Sequence, residues 1–364
     1  MQHPGTSAIR PDVRMVLPTS ALVLFLAGLC LIALPISTRS VEPEPDRGVW
    51  RTAAPAPTKR TEVAAGTLSD KIYVVGGFEQ PSLGNVMNLA ITPSLEEYDP
   101  STDRWTSKAP MPVGLHHVGI GVTGGRLYVI GGYMQSGLTV WEPVAIVYAY
   151  DPATDTWTQR APMPSPRGAL SVTEHEGKLY AIGGYDRKAN SAAVEVYDPE
   201  RNTWASRAPL PTPRDHLATA TVSGKVYAIG GRLNGDYRRN LSVTEVYDPV
   251  TDRWARAADL PTARSGITAA EIGGRVYVFG GEGSEGTFRE NEGYDPARDT
   301  WQALAPMPTG RHGLGSAVVH GHIHVISGGP TPGGSFSNLN EVFILPEPVT
   351  SKPGGHAQPD RSRR

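Results

Sequence analysis

Lys178-Leu179-Tyr180-Ala181-Ile182-Gly183-Gly184, followed after a variable segment by Val194-Glu195-Val196-Tyr197-Asp198-Pro199 and then by Trp204, is the phrase from which the fold can be read. It recurs six times. The glycine pair returns as Gly76-Gly77, Gly131-Gly132, Gly230-Gly231 and Gly280-Gly281, at intervals of about 50 residues, a period that signals propeller blades rather than solenoid turns. In the sixth copy Ser327-Gly328 stands in register with the pair, so Gly329 is an extra.

Spacing separates the constant half of each copy from the variable half. From Trp50, Trp105, Trp157, Trp204, Trp254 and Trp301 to the first position of the next pair is 26 residues every time. From the second pair position to Tyr98, Tyr150, Tyr197, Tyr247, Tyr294 and Phe343 the count is 21, 18, 13, 16, 13 and 15, so all length variation sits in one loop type. Within a copy, Arg167 to Thr173 reads as strand a, Leu179 to Ile182 as strand b, Ala193 to Tyr197 as strand c and the segment around Trp204 as strand d. Glycine-bearing turns join a to b, and Asp-Pro turns join c to d. Each copy is a four-stranded meander.

With 41 Gly, 33 Pro and many short apolar runs the composition is that of an all-β protein rich in turns. The net charge of −2, without blocks of like charge, gives no electrostatic footprint for nucleic acid. Cys30 is the only cysteine, which excludes an intramolecular disulfide and any cysteine nucleophile or cysteine metal site in the body.

Residues 1–14 are polar and carry Arg10 and Arg14; residues 15–37 are an apolar run that reads as a signal peptide or signal anchor. Positive charge before the run and Glu42, Glu44 and Asp46 after it favour a body outside the cytoplasm, whether periplasmic, secreted or held at the surface by a single N-terminal anchor. Ala27-Gly28-Leu29-Cys30 is a poor lipidation site, because leucine precedes the cysteine. Residues 38–47 read as a disordered linker, 48–346 as the folded body and 347–364 as a disordered tail.

An apolar strand ending in Gly-Gly, a later tyrosine and a tryptophan at fixed distance resemble kelch repeats, and the resemblance covers roughly Gly48 to Pro346. It implies a galactose oxidase-like β-propeller, here with six four-stranded blades. The body starts with a lone strand d at Trp50 and stops after strand c at Asn340 to Leu345, so the N-terminal strand d is expected to join the C-terminal strands a to c and close the ring.

Ten residues after each tryptophan stand Arg60, Leu115, Arg167, Arg214, Arg264 and Arg311. On the strand alternation these fall on the top face, where the arginines would ring the mouth of the central channel. Guanidinium forks there suit carboxylate, sulfate or sugar-acid groups; the alternative is that each donates to carbonyls of the neighbouring blade. The kelch resemblance implies a binding role for this motif position. In blade 2, Leu115-His116-His117 replaces the arginine, and a long top loop carries Tyr133, Met134 and Trp141, so His116 and Trp141 join the ligand-binding candidates. Glu96, Glu195, Glu245, Glu292 and Glu341, with Tyr148 in blade 2, precede the strand-c aromatic by two and read as interblade acceptors. His320, His322 and His324 alternate on one strand but do not make a convincing metal set.

Three functions stay open from sequence. The leading one is a monomeric binding module, without cofactor or metal, that takes a protein, peptide or glycan on its top face. The second is a carbohydrate-active enzyme of the sialic acid mutarotase type, although no catalytic residue can be matched; copper radical oxidase chemistry is excluded because it needs a cysteine cross-linked to tyrosine. The third is a structural role in cell-surface assembly.

Overall fold

Short alternating runs divided by glycine and Asp-Pro turns fold into six four-stranded antiparallel sheets, each made from one copy of the repeat. The structure, a computed structural model, describes residues 47–82 and 90–345. The expected leader at 15–37, the segment 1–14, nearly all of the linker 38–47 and the tail 347–364 lie outside the described residues. Among the described residues no helix is long and apolar enough to cross a membrane.

Blade 3 shows the common plan: strands a to d are Ser171–His175, Lys178–Ile182, Val194–Asp198 and Thr203–Ser206. Tyr180 lies opposite Val196, and Tyr197 opposite Trp204. Strands b and c are the most buried, and strand d is largely exposed. The six a strands line a central channel of about 490 Å³. The ring closes as expected: Val49–Thr52 is strand d of blade 6 and pairs with Asn340–Ile344, placing Trp50 opposite Phe343.

Two seams join successive blades. The tryptophan Nε1 donates to a carbonyl on the connection that enters its blade, from Trp105 to Ala54, Trp157 to Ala109, Trp204 to Ala161, Trp254 to Ala208, Trp301 to Ala258 and Trp50 to Ala305, at 2.8–2.9 Å. In blades 1 to 5 the N–H of the same alanine is taken by the last Asp or Asn of the c–d turn, which also accepts from the strand-c tyrosine; in blade 3, Asn202 Oδ1 holds Ala161 N at 2.9 Å and Tyr197 Oη at 2.6 Å. In blade 6, Arg47 O does this for Ala305 N.

The glycine pair makes the second seam. Its second member donates to the carbonyl of the arginine-column residue one blade on, as Gly184 N does to Arg214 O at 2.9 Å and Gly77 N to Leu115 O at 2.9 Å. A Cβ on the first member would stand 2.7 Å from that same carbonyl at Gly183, and φ there is +63°, so both space and torsion require glycine. Ser327 accepts this torsion in the sixth copy (φ 58°), and Gly328 N reaches Arg60 O at 2.9 Å, completing the circuit.

Candidate functional site at the mouth of the channel

The five arginines do not ring the mouth. Arg60, Arg167, Arg214, Arg264 and Arg311 are buried inside their own blades. Arg214 Nε donates to Gly230 O (2.7 Å), Nη2 to Ala228 O (2.8 Å) and Nη1 to Thr212 O (2.8 Å) and Glu245 Oε2 (2.5 Å). Arg167 repeats this with Gly183, Ala181, Ser165 and Glu195. Both sequence alternatives are therefore corrected: the forks face neither a ligand nor the neighbouring blade, and the glutamates are partners within the blade. Burial pulls the Arg214 guanidinium down, against the charge of Glu245. The bond between blades at this position runs through the backbone carbonyl, which is why blade 2 can use leucine. There Leu115 and Tyr148 pack in one apolar cluster in place of the ion pair.

Strand a begins about four residues later than the sequence suggested, because the chain turns two residues beyond the arginine column. Glu62, His117, Ala169, His216, Gly266 and Gly313 all have φ between 53° and 66° there. Their peptides form a closed collar: His117 N donates to Glu62 O, Ala169 N to His117 O, His216 N to Ala169 O, Gly266 N to His216 O, Gly313 N to Gly266 O, and Val63 N returns to Gly313 O. Two of these six positions are glycine, the residue the torsion favours. Glutamate and histidine are held in it at three, strain of about 1 kcal/mol or more each that marks sites where side-chain chemistry is being placed.

Those three side chains meet residues from the top loops. Glu62 Oε2 lies 3.2 Å from His117 Nε2, and Glu62 Oε1 lies 3.6 Å from His312 Nε2. His312 Nε2 is also 3.7 Å from Glu282 Oε2, whose other oxygen accepts from Arg232 at 2.6 Å. Arg232 donates to His216 Nε2 at 2.7 Å, while His216 Nδ1 donates to Asp215 at 2.5 Å. Burial pushes His117 well below the usual imidazole range, and His116, His216 and Arg232 push the same way. Burial alone would raise Asp215 and Glu282, but His216 and Arg232 hold the first low, and His312 and Arg232 the second. The site therefore favours ionised Asp215 and Glu282 beside a neutral His117 in a largely buried mouth.

A separate cleft of about 690 Å³ opens between blades 2 and 3. Its walls are the strand Thr139–Pro143, which carries Trp141 and pairs with Tyr133–Ser136, and the loop around Arg187. The Arg187 guanidinium sits 5.2 Å from the Trp141 ring centre and 5.7 Å from that of Tyr185. Trp141 also packs on Phe78, His116 and His117, so this aromatic cluster links the cleft to the mouth.

Of the sequence candidates, Trp141 faces the cleft, and Arg167 lies beneath it at 1% exposure. His116 is buried and acts on His117, its Nδ1 2.6 Å away. His320, His322 and His324 do not converge: His324 Nδ1 donates to Asn340 Oδ1 at 2.9 Å, and His320 lies exposed in a turn. Sequence reasoning missed Glu62, Asp215, His216, Arg232, Glu282 and His312. Their signal was the columns one and two residues past the arginine, where charged or histidine side chains replace the small residues of other blades, and the column one past the glycine pair, where Arg232 and Glu282 replace Phe78, Tyr133 and Tyr185.

A family model described as the KLHDC2/KLHL20/DRC7 Kelch-repeats domain matches residues 64–259, and the Kelch motif matches 263–308. The chain is 31% identical over 173 residues to Kelch-like protein terF of Aspergillus terreus, across 46% of this chain and 37% of that protein. It is 32% identical over 149 residues to human Kelch repeat and BTB domain-containing protein 12 (38% of this chain, 24% of the relative) and 31% identical over 137 residues to Beta-scruin of Limulus polyphemus (37% and 14%). The chain thus spans well under half the length of these relatives. The solved structure of YjhT superposes with a TM-score of 0.68 at 17% identity, covering 81% of this chain and 97% of that one, a likeness of fold. With the repeat signature, the six blades and a family model over more than half its length in agreement, this chain belongs to the kelch-repeat family.

Proposed function

We propose that this propeller is a binding module that takes an acidic segment of a protein partner in the top-face cleft between blades 2 and 3. One observation carries the reading: Arg187 is exposed yet held between the rings of Trp141 and Tyr185, and no carboxylate of the described residues pairs with it. An arginine fixed on aromatic faces keeps its fork directed outward at little entropic cost, the arrangement that receives a carboxylate. Exposed Lys188 stands beside it, while Asp186 is occupied by its own loop through Lys188 N (2.8 Å) and Ala189 N (2.7 Å). Trp141 offers the adjoining apolar platform.

A peptide-display selection tests this. Wild type should enrich sequences that place an aspartate, glutamate or terminal carboxylate beside an apolar residue, and Arg187→Glu and Trp141→Ala should each abolish the enrichment. Identical enrichment by Arg187→Glu would overturn the reading. A second reading, an enzyme acting on a sugar acid at the mouth, draws support from the strained backbone under Glu62, His117 and His216. Turnover of sugar acids followed by NMR in the same preparations would favour it over the binding module.

A further inference from the structure

We propose that the carboxylates of Glu62 and Glu282 and Nε2 of His312 hold a divalent first-row metal ion at the top of the channel, with His117 set against the far oxygen of Glu62. His312 Nδ1 lies 3.1 Å from Gly329 O, which can only accept, so Nδ1 carries a hydrogen and Nε2 is the nitrogen free to offer a lone pair to an ion. That lone pair faces Glu62 Oε1 at 3.6 Å and Glu282 Oε2 at 3.7 Å. These separations exceed the ordinary N–H···O range of about 2.7–3.2 Å. They fit two donors on one ion, since ligand bonds of about 2.0–2.2 Å at the tetrahedral angle set donor atoms about 3.3–3.6 Å apart.

His117 is fixed in the same way. His116 Nε2 lies 2.7 Å from Val140 O and so carries a hydrogen, which leaves His116 Nδ1 bare. His117 Nδ1, 2.6 Å from it, must then donate, and His117 Nε2 turns a second lone pair on Glu62 Oε2 at 3.2 Å. Two imidazole lone pairs and two carboxylates therefore converge, and each ring is oriented through its other nitrogen, as rings beside metals are. Each donor of the proposed set lies within 4.8 Å of the others.

Charge completes the case. Glu62, Glu282 and Asp215 carry three negative charges, and Arg232 supplies the single positive one, spent on Glu282 Oε1 and His216. Carboxylates thus outnumber guanidinium three to one in a place where the side chains of His117, His312 and Glu282 expose 4%, 2% and 3%. A divalent ion would supply positive charge that the lining itself lacks. Mixed imidazole and carboxylate donors suit zinc, iron or manganese rather than a soft or purely oxygen-seeking ion. Three protein ligands leave a coordination position for water or an anionic ligand entering by the channel.

The test uses untagged full-length protein stripped with chelator and titrated calorimetrically with Zn²⁺ and, in parallel, Mn²⁺. One ion per chain is expected, with a rise in urea stability on saturation. Glu62→Gln, nearly the same shape, and His312→Ala should each weaken binding by at least about 100-fold, and His116→Phe, which touches no ligand, by about 10- to 100-fold through the freed His117 ring. Circular dichroism melts identify any variant that fails to fold, in which case Glu62→Gln and His116→Phe decide. Uptake of neither ion, or uptake that these variants leave unchanged, overturns the proposal and leaves protons as the charges that hold the cluster.

Discussion

Arg214 gives every arm of its guanidinium to its own blade and shows no surface to solvent. Removing one half of such a pair strands the other, so Arg214→Ala leaves the Glu245 carboxylate buried with only Thr212 Oγ1 on it. A cost of about 3–5 kcal/mol is expected in urea unfolding, indifferent to sulfate. Blade 2 shows what a complete exchange does, because Leu115 and Tyr148 stand at the same repeat positions in one apolar cluster without charge. Replacing Arg214 by Leu together with Glu245 by Tyr should accordingly cost less than Arg214→Ala alone. A cost that grows in sulfate, because the anion stabilises wild type more than the alanine variant, would show instead that Arg214 meets anions.

Strand b of blade 6, His322–Ile326, carries His324 where the other blades carry Tyr73, Tyr128, Tyr180, Tyr227 and Tyr277. Burial lowers His324 below the usual imidazole value; the Asn340 hydrogen bond opposes this, His322 and His320 add to it, and Asp103 opposes it. Its ring packs on Tyr98. The unfolded chain therefore binds more protons below about pH 6.5, so the stability tied to this ring is complete above that pH and lost as pH falls toward the folded value. His324→Tyr should make the fall between pH 7 and 5 shallower, by at most about 1.4 kcal/mol per pH unit; an unchanged slope in urea midpoints against pH would refute it. Strands b, c and d were legible in the sequence because apolar alternation, the glycine pair and the Asp-Pro turn each act locally. Strand a was misplaced by its start. The left-handed turn at Ala169 follows from the collar, a contact between blades, and no local pattern announces it. For the same reason the arginine column was found but its direction was not: position in a repeat fixes the backbone, while the pull of a buried glutamate about 30 residues on fixes the side chain.

At the scale of the whole molecule, closure rests on a four-residue strand, Val49–Thr52, and on Trp50, which donates to Ala305 O and packs on Phe279 and Phe343. Deleting residues 48–57 exposes the strand-c edge at Asn340–Ile344, and loss of the thermal transition or a shift to oligomers in size-exclusion chromatography is expected. A monomer with unchanged melting would show that the other five blades hold the ring alone. The closing strand also sets an order in time. Asn340 bonds Ala54 across 286 residues, so the strand Val49–Thr52 waits for that stretch to be made before it can pair. At about 5–20 residues per second that interval is on the order of 15–60 s. During it the Trp50 strand is an unsatisfied edge, and the kinetic hazard of the propeller is concentrated at this closing strand rather than spread around its ring.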